Sequence, residues 1–143
     1  MAYMIVEGSA RPDSRTGLVA RHLAGALEAE GGRAAQRLAP AAYLNALTDG
    51  AVAGGPVEAF QPVVDQVAAA EGVILVTPEY HGSQSGVMKL VLDNLGYPSV
   101  LRGKPVGVVA LGAARFAGAR AADSLFSVLA HIRARPFGRY LFF

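Results

Sequence analysis

Hydrophobic positions along this chain follow two alternating patterns. Short unbroken apolar runs are separated by stretches in which apolar residues return every three or four positions. Residues 3–7 (YMIVE), 72–77 (GVILVT) and 104–111 (KPVGVVAL) belong to the first kind, and their β-branched content predicts strands covered on both faces. Residues 33–38 are more polar and suit a sheet edge. Residues 135–143 read as a last strand, closing on the apolar run Tyr140, Leu141, Phe142 and Phe143.

The second pattern predicts helices between these strands. After residue 14 the apolar face is Val19, Leu23, Ala26 and Leu27, with Ser14 as N-cap and Gly31 and Gly32 as the stop. Residues 57–70 place Phe60, Val63, Val64 and Val67 inward, with Pro62 near enough the start to lie in the first turns. From Val87 a stripe of Val87, Val91 and Leu95 runs beside Met88 and Leu92, and a further helix is expected over residues 119–133. Residues 39–56 form a Gly- and Ala-rich connection. Strands alternating with helices through right-handed crossovers give an α/β fold, a doubly wound parallel sheet of five strands with helices on both faces.

Two loops in this frame carry candidate chemistry. Pro78 is expected to stop the third strand by removing a backbone donor, and Gly82 and Gly86 to turn the chain. Residues 79–85 then lie at the carboxyl end of a central strand, the place where open α/β sheets bind ligands. The first strand likewise runs through Gly8 into Ser9, Arg11, Ser14, Arg15 and Thr16 at a helix start. Hydroxyls, free amides and guanidinium groups together suit an anionic phosphate. Each arginine can also be read as an ordinary surface residue, Tyr80 as a cap on the core, and His81 as either a solvated loop residue or a proton-handling one. Neither GxGxxG nor a Walker A pattern is present, which disfavours a dinucleotide or triphosphate loop of those kinds.

Composition narrows the classes further. At 143 residues, with 52% hydrophobic and 17% charged residues, the chain reads as one folded domain over 1–143. Its apolar runs fall short of the ~18 residues of a membrane helix, and it reads as a cytoplasmic protein with no membrane partner. No cysteine is present, and His22, His81 and His131 are scattered, so no metal site is expected. The net charge of +2 is spread along the chain, which gives no support to nucleic-acid binding.

The stretch TPEYHGSQSGVMKLVLDNL resembles a loop of the NADPH-dependent FMN reductase family, where it usually reads TPEYNGSxPGxLKNxLDWL. His81, Ser85 and Asn94 stand here for the usual Asn, Pro and Trp. The first loop matches the family's GSxRxxSxN through Ser9, Arg11 and Ser14, with Thr16 at the last position. In the third loop, Ala113 and Ala114 replace a usual glycine pair while Gly112 and Gly118 remain. The helix that in the family follows the fifth strand has no counterpart in this sequence.

The resemblance implies a flavodoxin-like sheet of order 2-1-3-4-5. It also implies FMN held by Ser9, Arg11, Ser14, Arg15 and Thr16 at its phosphate, and by Pro78, Glu79, Tyr80, His81, Gly82, Ser83, Gly112 and Ala113 elsewhere. NADPH or NADH would be the hydride donor, and a flavin, quinone, azo compound or metal oxyanion the small-molecule acceptor. No side chain is assigned as a catalytic acid or base, because hydride transfer to flavin needs none. A homodimer or homotetramer is implied as well. A flavodoxin-like electron carrier and a flavin-free scaffold are the alternatives from other classes.

Overall fold

The computed structural model describes residues 2–49, 56–113, 115–137 and 141–142, the last two through their backbone. Part of the Gly- and Ala-rich connection, Ala114 of the third loop, and Tyr140 and Phe143 of the expected last strand lie outside the described residues.

Strands β1 (Tyr3–Glu7), β2 (Ala35–Leu38), β3 (Gly72–Tyr80) and β5 (Pro105–Leu111) form a parallel sheet. A two-residue β4 (Ser83–Gln84) folds back antiparallel on the end of β3. The last position is filled by two short segments, β6 (Arg135–Pro136) and β7 (Leu141–Phe142), both parallel to β5. With β4 set aside as a hairpin, the order β2-β1-β3-β5-β6 is the expected 2-1-3-4-5.

Helix α1 (Arg15–Gly31) starts where expected. Ser14 Oγ accepts from the Gly17 N–H at 3.0 Å, and Gly32 closes the helix in the left-handed region at φ 57°. Gly32 can hold that conformation without the Cβ penalty that other residues incur. The connection after β2 is more structured than its composition suggested, with a 3-10 turn (Pro40–Tyr43) and α2 (Leu44–Asp49) that buries Leu47. The helix expected over 57–70 is a 3-10 turn (Glu58–Phe60) leading into α3 (Gln61–Ala69), with Pro62 in its first turn. Helix α4 (Gly86–Asp93) follows the hairpin, and α5 (Ala119–His131) stops short of Arg133, which has φ 58°.

The two sheet faces are covered unequally. Met4, Val6, Val73, Leu75, Val106 and Val108 point to the main core, closed by α3, α4 and α5. Ile5, Val76 and Val109 point the other way, against Ala20 and its neighbours on α1. Burying one such Val or Leu side chain contributes about 1.5–3 kcal/mol, so most of the packing free energy lies on the three-helix side. On the second face a groove of about 390 Å³ remains beside α1, floored by Ile74 and walled by Leu23, Ala26 and Leu27. Phe137 is 56% exposed and lies against Gly107 on the same sheet.

One expectation is corrected: Pro78 does not end the third strand, which continues to Tyr80 with Pro78 paired opposite Leu111. The reason is the period of two in a strand. Val76 gives its carbonyl to the Gly8 N–H at 2.7 Å, so Pro78, two residues on, faces the same side, where β1 has already ended. A missing donor costs nothing on a side with no neighbouring strand.

Candidate functional site

The carboxyl ends of β1, β3 and β5 bring three loops to one end of the sheet, and buried hydrogen bonds tie the first two together. Gly8 approaches so closely that a Cβ there would stand 3.0 Å from Thr77 Cα, a contact that would push the two strands apart by a few tenths of an ångström. Ser85, fully buried, N-caps α4 by accepting from the Met88 N–H at 3.1 Å and gives its own hydroxyl proton to the Gly8 carbonyl. Its backbone N–H reaches Thr77 Oγ1 at 3.3 Å. The first and second loops are therefore tied through one serine.

The third loop is folded back on β5. Gly118 has φ 88°, and a Cβ on Gly112 would lie 2.5 Å from the Gly118 nitrogen. The two glycines that the sequence retains are thus those on which the turn depends.

These three loops surround one cavity of about 660 Å³. Ser9, Arg11, Ser14, Arg15 and Thr16 line it from the first loop, Pro78, Glu79 and Tyr80 from the end of β3, and Gly112 and Ala113 from the third loop. His81, Gly82 and Ser83 do not line it; they form the tip of the hairpin, where Ser83 Oγ turns to Ser124 Oγ at 2.8 Å. His81 sits in the left-handed region at φ 51°. Asparagine tolerates that region better than histidine, which explains on backbone grounds why Asn suits this position.

Asp13 and Leu111 also line the cavity. Sequence reasoning passed over both, since neither residue type signals a site at its place in the chain.

The donors on the α1 side are oriented for an anion. Ser9 Oγ accepts from the Arg11 N–H at 3.3 Å and Ser14 Oγ from the Gly17 N–H, so each hydroxyl keeps its own proton free to donate outward. Arg11, in the loop before α1, and Arg15, at its first position, are both exposed. On the opposite wall Tyr80 is 45% exposed, and Glu79 Oε2 is buried without a hydrogen-bond partner among the described residues. A buried carboxylate oxygen left in this state costs about 1–3 kcal/mol or more, until a donor reaches it.

Comparison with known proteins agrees with this geometry. The family model of the NADPH-dependent FMN reductases matches residues 1–143. An NADPH azoreductase from Bacillus sp. (strain OY1-2) is 32% identical over 134 residues, covering 94% of this chain and 71% of that protein. Among solved structures, an oxidoreductase from Corynebacterium diphtheriae superposes with a TM-score of 0.79 at 17% identity, over 98% of this chain and 80% of that one. A flavodoxin variant from Pseudomonas aeruginosa superposes with a TM-score of 0.69 at 18% identity, over 99% of this chain and 83% of its own. The structural matches establish a flavodoxin-like fold.

Proposed function

Because this chain belongs to the NADPH-dependent FMN reductase family, an oxidoreductase family, we propose that its three-loop cavity holds FMN non-covalently and that a small-molecule electron acceptor enters at the Tyr80 side. FMN is the cofactor and NAD(P)H the co-substrate of the family, and the residues present fit that cofactor. The observation that carries the reading is the polarity of the cavity. Hydroxyl and guanidinium donors gather at one end, on a helix start, while an exposed tyrosine and an orphaned carboxylate oxygen stand at the other. A phosphate matches the first end, and a flat heteroaromatic ring with N–H groups matches the second.

When bound, FMN supplies the hydride-accepting and electron-passing chemistry. The chain itself binds, orients and excludes water. Ser9, Ser14 and Thr16 offer hydroxyls to the phosphate while Arg11 and Arg15 supply positive charge. Pro78, Glu79 and Tyr80 form the wall for the ring, and Gly112 with Ala113 closes the third side. The hairpin tip at His81, Gly82 and Ser83 supports that wall from outside it.

Affinity for FMN is expected to exceed that for riboflavin by about a hundredfold, since one or two charge-assisted bonds to a phosphate contribute about 1.5–3 kcal/mol net each. Fluorescence titration of both flavins measures this, and equal dissociation constants would remove the phosphate assignment. Direct bleaching of the bound flavin by NADPH, with no protein partner added, then separates a reductase from an electron carrier.

The reading includes association into a homodimer or homotetramer. Tyr97, at 84% exposure after α4, and Phe137 on the thinly covered sheet face are large apolar groups open to solvent. Light scattering coupled to gel filtration should find a discrete flavin-loaded oligomer. A stable monomer at micromolar concentration would overturn this part.

A further inference from the structure

We propose that Arg120 is a subsite for an oxyanion carried by the substrate that enters beside the flavin, and so a specificity-determining residue of this site. Arg120 belongs to the first turn of α5 and bridges two of the cavity's three loops. Its stem lies along Gly82 at the hairpin tip, where a Cβ would be 3.4 Å from Arg120 Cδ. Its guanidinium stacks over the Phe116 ring, 4.4 Å from the centroid, in the third loop. Nη1 stands 3.7 Å from Glu79 Oε1, on the cavity wall.

These contacts fix the guanidinium plane without using its hydrogens. A separation of 3.7 Å is an ion-pair distance and too long for a hydrogen bond. No hydrogen-bond acceptor meets Arg120 among the described residues, and its side chain is 54% exposed while Glu79 beside it is 9% exposed. A planar fork of N–H donors, already oriented and open to solvent, is the geometry that takes two oxygens of a carboxylate, sulfonate or phosphate. Phe116, the ring beneath the guanidinium, is itself 53% exposed, and Tyr80, next to Glu79 in the chain, is 45% exposed. The ligand class is therefore an anionic group, carried by a flat substrate of the kind the reductase reading brings to this site.

Two sources share that chemistry: an acidic substituent on an aromatic electron acceptor, and a phosphate of the nicotinamide nucleotide. The inference rests on the reductase reading for the identity of the substrates, but its test does not depend on turnover. Calorimetric titration of the FMN-loaded protein with 2-naphthalenesulfonate and 2-naphthol gives an anion preference for the acceptor arm. Titration with 2′,5′-ADP and adenosine gives it for the nucleotide arm.

In Arg120→Gln the preference in one arm is expected to fall about tenfold, the size of one charge-assisted hydrogen-bonded pair, and Arg120→Lys should lose less because it keeps the charge. The arm that falls identifies the source. A purely structural clip between α5 and the hairpin would weaken charged and neutral probes alike and leave both preferences unchanged, and that result overturns the proposal. Wild-type protein that binds the probes with an anion preference yet never oxidises NADPH would instead overturn the reductase reading while sparing the subsite.

Discussion

Gly118→Ala is expected to lower the stability of the domain by about 3–5 kcal/mol, a large part of the ~5–15 kcal/mol that holds a typical domain together. Two costs coincide at this position. The backbone has φ 88°, where an L side chain is strained by about 1–2 kcal/mol. The new methyl would also stand 2.6 Å from the Ala110 carbonyl carbon, 2.7 Å from its oxygen and 2.9 Å from the Leu111 nitrogen. All three are backbone atoms of a central strand, so nothing nearby can rotate out of the way. The loop can accommodate a methyl only by lifting off β5, which would open the third side of the cavity. Urea unfolding followed by circular dichroism measures the loss. A change under about 1 kcal/mol would mean that the loop rests on β5 far more loosely than these distances indicate.

Ser85→Ala is expected to cost about 2–4 kcal/mol, more than an ordinary N-cap. Loss of the cap to the Met88 N–H accounts for about 1 kcal/mol. The rest comes from the Gly8 carbonyl, which loses the hydroxyl donor it has in the buried joint between the first two loops. Ser85→Pro, which would restore the residue usual in the family, should be no better. The serine already has φ −62° as proline requires, but proline would remove both the hydroxyl and the N–H that reaches Thr77. Thermal melts of both variants test this, and a proline variant as stable as the parent would show that the joint contributes little. Flavin affinity should fall with stability in these variants, because the joint sets the distance between the two loops.

The strands and the first two site loops were legible in the sequence because the strands that carry them are buried on both faces and read as unbroken apolar runs, whereas the sheet order and the third loop's part in the site came from the family resemblance. The stripe from Val87 likewise placed Met88, Val91, Leu92 and Leu95 in the core. What escaped was set by neighbours rather than by local pattern. Pro78 stays in its strand because β1 ends opposite it, a fact about another segment of the chain. Helix α2 arose in a stretch whose composition suggested only a connection, and Leu47 made it stable by reaching the core. Asn94, standing for a usual Trp, ties that helix to α4 by donating to the Leu47 carbonyl at 3.2 Å. Within the site, most of the loop residues that line the cavity were identified as a group, but the hairpin that carries His81, Gly82 and Ser83 depends on β4, too short to be seen in a sequence. The role proposed for Arg120 depends on Phe116, Gly82 and Glu79 meeting in space, and no spacing along the chain announces that.

The serine joint between the first and second loops has a consequence for timing. Because Ser85, Gly8 and Thr77 hold these loops to one another and not to a ligand, that part of the cavity is already shaped before anything enters it. A ligand that finds its loops in place loses little of their conformational freedom on arrival, and its entry does not wait for a closure step. Association should then be as fast as diffusion and charge steering allow, and the lifetime of the complex, rather than the speed of its formation, becomes the quantity that the loop residues tune.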